Sequence, residues 1–131
     1  MNAKPRTIRQ SPEFTMQCNL FTWARYSLRK YPDLDLLSCS LNGVKLSKAQ
    51  AGKAKAAGML KGEHDVKLPV RRGEYSGLSI ELKHGRNKPT EDQLWYGKRL
   101  TAQGWLVAYC WSWTEAADTI RAYLEGGLCT K

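Results

Sequence analysis

The chain has 131 residues, 42% hydrophobic and 25% charged, the proportions of one globular domain with a core of its own. That composition excludes a disordered tail and a collagenous repeat, and no apolar run is long enough to span a bilayer. Lys and Arg number 21 against 12 Asp and Glu, a formal +9, which makes nucleic acid the first expected partner and an acidic membrane surface the weaker one.

Residues 1–10 carry Lys4, Arg6 and Arg9 with no acid and read as a basic arm ahead of a single domain over 11–131. They contain no apolar h-region, so no secretory signal is read and a cytoplasmic protein is expected. Cys18, Cys39, Cys110 and Cys129 form no C-x-x-C pair. Free thiols are expected rather than a zinc site.

Ser11-Pro12-Glu13 is a helix start, with Ser at the N-cap, Pro at the first helical position and an acid in the first turn. The predicted helix runs to about Lys30, before Pro32. Leu20, Phe21, Ala24 and Leu28 form its apolar stripe, and Glu13 and Gln17 extend that stripe as polar residues that need a reason. Leu34 to Cys39 is predicted as a strand, and Leu41-Asn42-Gly43 as a turn. Ser47 and Gln50 fit a capping box, opening an alanine-rich helix that stops at Gly58. Lys45, Lys48, Lys53, Lys55 and Lys61 lie on and around it with no acid between them. A lysine run is usually a solvated face; on a chain this basic it points to phosphate contact.

Asp65 to Val70 and Leu78 to Lys83 both alternate, and Arg71 to Gly77 can turn the chain between them as a hairpin. Thr90 is the expected N-cap of the next helix, which ends before Gly104. Trp105 to Trp111 reads as a strand, and Thr114 as the cap of a last helix ending near Gly126. The order α-β-α-β-β-α-β-α implies an α/β sandwich around one mixed sheet.

Both apolar faces of the hairpin must meet one core, so odd residues oppose odd residues. With Val70 opposite Leu78, Asp65 opposes Lys83 and Lys67 opposes Glu81. Asp65 and Glu81 are then diagonal neighbours that can converge on one point. Two carboxylates beside a lysine suit a divalent cation such as Mg²⁺, which takes oxygen ligands and is held by one or two carboxylates plus substrate phosphate. Such an ion polarises a phosphoryl oxygen and acidifies water, and a nearby lysine can orient that water. The signal is a weak one taken alone. Asp65-Val66-Lys67 repeats the acid-x-Lys pattern of Glu81-Leu82-Lys83, and a surface ladder of salt bridges has the same signature.

Gly62-Glu63-His64-Asp65, then Ile80-Glu81-Leu82-Lys83, then Thr90-x-x-Gln93 ahead of Leu100 resemble the VRR-NUC nucleases. That family is a branch of the PD-(D/E)XK superfamily, which includes restriction enzymes and archaeal Holliday junction resolvases. Asn42-Gly43 and Glu13-x-x-x-Gln17 also look like its pattern. The similarity runs from about Ser11 to Leu124 and lies in the order and spacing of the motifs rather than in any one of them.

The resemblance implies a restriction-endonuclease-like sandwich and a Mg²⁺- or Mn²⁺-dependent endonuclease. Asp65, Glu81 and the Leu82 carbonyl would ligate the metal, with Glu13 reaching it directly or through water. Lys83 would position the attacking water. Gln93 would support Lys83 or a phosphate, or serve only as capping partner of Thr90. Gln17 is read as a structural hydrogen-bonding residue. Members usually have a small or apolar residue and a proline where this chain has Glu63-His64. His64 is expected to be solvated, and His84, Arg86 and Lys88 join the lysines as candidate DNA contacts.

The five tryptophans are expected mostly as core or interface anchors, with Trp111 and Trp113 available for a subunit contact. Small single-domain members resemble symmetric homodimers that act on four-way DNA junctions, and many are phage or prophage proteins. Branched DNA is the first expected substrate. Flap, nicked or linear duplex DNA is the second, and a non-catalytic DNA-binding module with a relic site is the third. No RNA-reading motif occurs.

Overall fold

The computed structural model describes residues 11–40 and 46–127. The basic arm at 1–10, the Leu41-Asn42-Gly43 turn, Lys45 and Cys129 lie outside the described residues.

Helix α1 spans Pro12–Tyr26, and the Ser11 hydroxyl caps it by accepting from the Phe14 N–H at 3.1 Å. It ends four residues before the expected Lys30. The Ser27 N–H turns back to the Ala24 carbonyl, and Leu28 is exposed, so no apolar side chain seats a further turn on the core. The expected strand from Leu34 is instead a 3-10 helix, Pro32–Leu36, followed by a two-residue strand β1, Ser38–Cys39. The alternation of Asp33, Leu34, Asp35 and Leu36 imitates a strand. Proline at the first position and acids in the first turn favour a helical turn instead, and it needs to bury only Leu34.

Helix α2, Lys48–Ala56, opens on the expected Ser47–Gln50 capping box. Gly58 follows with φ 103°, a left-handed conformation that glycine tolerates. Strands β2, Val66–Leu68, and β3, Leu78–Leu82, form the hairpin. Helix α3, Glu91–Ala102, starts at Thr90, and strand β4 is Leu106–Cys110. Helix α4, Trp113–Leu124, is capped by Ser112, whose hydroxyl accepts from the Glu115 N–H at 3.0 Å. Thr114, the expected cap, lies inside the helix. Starting two residues earlier lets Trp113 pack against the core.

The sheet order is β1-β2-β3-β4, antiparallel over the first three strands and parallel between β3 and β4. The hairpin register differs from the expected one by two residues. Val66 pairs with Ile80, Lys67 with Ser79 and Leu68 with Leu78. Pro69 cannot donate to the ladder, so β2 stops at Leu68, and Val70 falls in the connection. A slip of two keeps every side chain on its face. It nevertheless changes the partners: continued by one step, this register puts Asp65 opposite Glu81 rather than Lys83.

One face of the sheet carries Val66, Leu68, Leu78, Ile80 and Leu82 against Leu20 and Ala24 of α1 and Ala116, Ala117, Ile120 and Tyr123 of α4. The other face lies under α3 and carries Asp65, Lys67, Ser79 and Glu81. Its residue types read as a polar surface, yet β3 is buried on both faces. Among the described residues no helix is long and apolar enough to cross a membrane.

Candidate active site

A cavity of about 510 Å³ opens where β2 begins and β3 ends, and Glu13, Lys61, Asp65, Glu81, Leu82, Lys83 and Gln93 all contribute to its wall. Residues from α1, two strands and α3 thus converge on one space. Continued one step past Val66, the β2–β3 register sets the two acids opposite one another rather than on a diagonal. Opposed Cβ atoms in such a ladder lie about 5 Å apart.

Asp65 Oδ2 accepts from the Leu82 N–H at 2.8 Å. Glu81 Oε2 accepts from Gln93 Nε2 at 3.2 Å and faces Lys83 Nζ at 3.7 Å. Among the described residues, Glu81 Oε1 is buried with no hydrogen-bond partner. Glu81 is only 3% exposed and Asp65 and Lys83 8% each. Burial, reinforced by the neighbouring Asp65 carboxylate, pushes Glu81 up to about 9. Burial also raises Asp65, against the opposing pull of the Leu82 N–H. Two enclosed carboxylates cannot both ionise comfortably without a positive charge between them.

That arrangement fits a divalent cation. An orphaned carboxylate oxygen in a buried site calls for a ligand, and oxygen donors are those that Mg²⁺ and Mn²⁺ prefer. Among the described residues no group of three or more His, Cys, Asp or Glu side chains forms a ready metal cluster. Two carboxylates would have to be completed by the Leu82 carbonyl, by solvent or by substrate.

The other predicted residues divide clearly. Glu13 lines the cavity from the first turn of α1, and its Oε1 accepts from Asn87 Nδ2 at 3.3 Å. Gln17 does not line it. Gln93 closes the capping box that is its alternative reading, its Oε1 accepting from the Thr90 N–H at 3.0 Å, and its Nε2 donates to Glu81 rather than supporting Lys83. Lys67, the lysine of the second acid-x-Lys triplet, is bound to Glu63 Oε1 at 2.5 Å and lies over the Tyr96 ring. Lys48, Lys53 and Lys55 are exposed along α2, and Lys61, paired with Asp92, stands at the rim. His84, Arg86 and Lys88 are exposed in the loop after Lys83 and lie outside the cavity wall.

His64 corrects an expectation. It is fully buried rather than solvated, and burial holds its pKa below the usual histidine range. Asn87 is a further residue that the sequence did not mark, and Trp111, marked there only for a subunit contact, reaches it. The Trp111 indole N–H donates to the Asn87 carbonyl at 3.0 Å, fastening the basic loop to the end of β4. One signal for the packing over His64 stood in the sequence. Gly97 lies inside a helix on the stripe of Gln93 and Leu100, and glycine there costs about 1 kcal/mol against alanine unless something must come close.

No protein-family model matches the sequence, and no curated protein does. A solved structure described as a VRR_NUC domain protein superposes on the chain with a TM-score of 0.72 at 24% identity, covering 91% of this chain and 93% of that one. Along nearly its whole described length, the chain has the fold of a VRR_NUC domain protein.

Proposed function

We propose that the chain is a VRR-NUC nuclease that hydrolyses DNA phosphodiesters with a divalent metal. The observation that carries this reading is the enclosed Asp65–Glu81 pair, with Glu81 Oε1 unpartnered among the described residues and Lys83 Nζ 3.7 Å from Glu81 Oε2. Asp65, Glu81 and the Leu82 carbonyl would hold Mg²⁺ or Mn²⁺, with Glu13 at the rim. A cation bound there supplies Lewis-acid polarisation of the phosphate and acidified water. Lys83 orients the attacking water and offsets charge on the five-coordinate phosphorus, and its mostly buried stem keeps that geometry fixed. Gln93 keeps Glu81 Oε2 turned toward Lys83.

DNA would cross the cavity mouth, drawn there by the basic side chains around it. Lys61 at its wall, the exposed lysines of α2, and the exposed His84, Arg86 and Lys88 would be the candidate phosphate contacts. Contacts from side chains of this kind go to phosphates, which position a duplex without reading its bases. Branched DNA, four-way junctions first, is the substrate we assign. A homodimer would bring the two sites that paired incisions need.

The deciding experiment incubates the protein with a four-way junction, a flap, a nicked duplex and a linear duplex, each with and without Mn²⁺. Metal-dependent cleavage favouring the junction supports the whole reading. Equal cleavage of every substrate keeps the nuclease and removes the branch selectivity. Junction binding with no cleavage in either Mg²⁺ or Mn²⁺ leaves a DNA-binding module with a relic site.

A further inference from the structure

A buried polar cluster beneath α3 has no role in the chemistry above. His64 and Ser79 are both fully enclosed. His64 Nε2 lies 3.0 Å from the Gln93 carbonyl oxygen, and Nδ1 lies 2.8 Å from Ser79 Oγ. A carbonyl only accepts, so Nε2 carries the proton, and in the neutral ring the Ser79 hydroxyl donates to Nδ1. The Tyr109 hydroxyl donates to that same Gln93 carbonyl at 3.3 Å. The Tyr96 and Tyr109 rings meet the imidazole edge-on, at 4.9 and 5.3 Å between centroids.

A helical carbonyl normally takes its partner from the N–H four residues on. Gln93, in the first turn of α3, draws two further donors from the sheet side. Gly97 makes the approach possible. A Cβ there would stand 2.5 Å from the Tyr109 oxygen and 3.3 Å from the His64 ring. The side chain of the residue so anchored ends 3.2 Å from Glu81 Oε2.

We propose that His64 and Tyr109 are positioning residues: by holding the Gln93 backbone to the sheet they fix where its side-chain amide meets Glu81. They touch neither substrate nor metal and act through Gln93. The kinetic part of the test rests on the nuclease reading; the spectroscopic part does not.

The experiment is a double-mutant cycle of Tyr109→Phe and His64→Leu, each with Gln93→Ala, on the full chain. Each single variant loses about tenfold to a hundredfold in kcat with KM for DNA within about twofold. In the Gln93→Ala background neither causes a further loss. Losses that multiply, or a change confined to KM, overturn the proposal. In parallel, the Gln93 side-chain amide resonance, identified by its disappearance in Gln93→Ala, shifts in metal-free Tyr109→Phe. An unmoved resonance also overturns the proposal. Should His64→Leu fail to fold, Tyr109→Phe, which removes a single oxygen, carries the same test. A wild-type protein that cleaves nothing sinks the nuclease reading and leaves the resonance to decide this one.

Discussion

Lys83 Nζ stands 3.7 Å from Glu81 Oε2, whereas Lys67, the other lysine of an acid-x-Lys triplet, is bound to Glu63 at 2.5 Å. The two triplets therefore differ in what their amines are free to do. Lys83→Ala should lower cleavage by about 10²–10⁴-fold while junction binding in Ca²⁺ survives. Lys67→Ala should leave kcat within a few-fold. Equal losses from the two would remove Lys83 from the chemistry.

Glu81→Gln keeps the shape of the side chain and removes the charge a cation needs. Calorimetric Mn²⁺ binding should vanish while the thermal transition in EDTA stays or rises, because without an ion the fold must keep Glu81 protonated and the amide carries no such cost. Retained Mn²⁺ binding would place the metal elsewhere.

The metal-free protein should show a pH dependence set by the same pair. Below about 4.5 Glu81 is protonated in both folded and unfolded chains. Between there and about 9 the unfolded chain ionises while folded Glu81 keeps its proton. The unfolded state then binds fewer protons, so stability falls as pH rises through that window. Thermal melts in EDTA should shift downward from pH 5 to pH 9, and Mn²⁺ should raise the transition most at the alkaline end. A flat profile in EDTA would mean that Glu81 ionises freely.

Replacing Lys48, Lys53 and Lys55 together by alanine should weaken DNA binding at every sequence tested. The slope of log affinity against log salt should fall by roughly 0.9 for each phosphate that is no longer neutralised. No residue of α2 is buried, so the melting temperature should hardly move. An unchanged slope would mean that these lysines only solvate the helix.

Gly97→Ala should destabilise the fold by about 1–3 kcal/mol, the usual cost of overfilling a packed interior. The added methyl collides with the Tyr109 hydroxyl, so cleavage should drop with stability. A neutral substitution would show that α3 can lift away from the sheet at no cost.

Elements with local chemistry were legible. The Ser11, Ser47 and Thr90 caps, and glycines 58 and 104 past the helix ends, fall where the sequence places them. Elements decided by tertiary packing were not. Pro32 to Leu36 alternates like a strand but buries one leucine, and the chain makes a helical turn. The hairpin faces were legible because they repeat every two residues. The register was not, because Pro69 and the Arg72–Tyr75 bridge consume residues in the turn. At the site the strand pattern joined Asp65, Glu81 and Lys83, the family resemblance added Glu13 and Gln93, and all five line one cavity. The sequence did not reveal His64, because nothing local distinguishes a histidine under a helix from one in water. Nor did it reveal the clasp from Trp111 to Asn87, whose partners are 24 positions apart.

Helix α2 stands on its capping box and contributes nothing to the interior. No side chain of the helix is buried, so changes in its composition touch little of the interior. Exchanging it for another short capped helix should therefore leave the body that carries the carboxylates folded. If the proposed function holds, affinity for a polyanion and the capacity to cut one would be separable traits in this architecture.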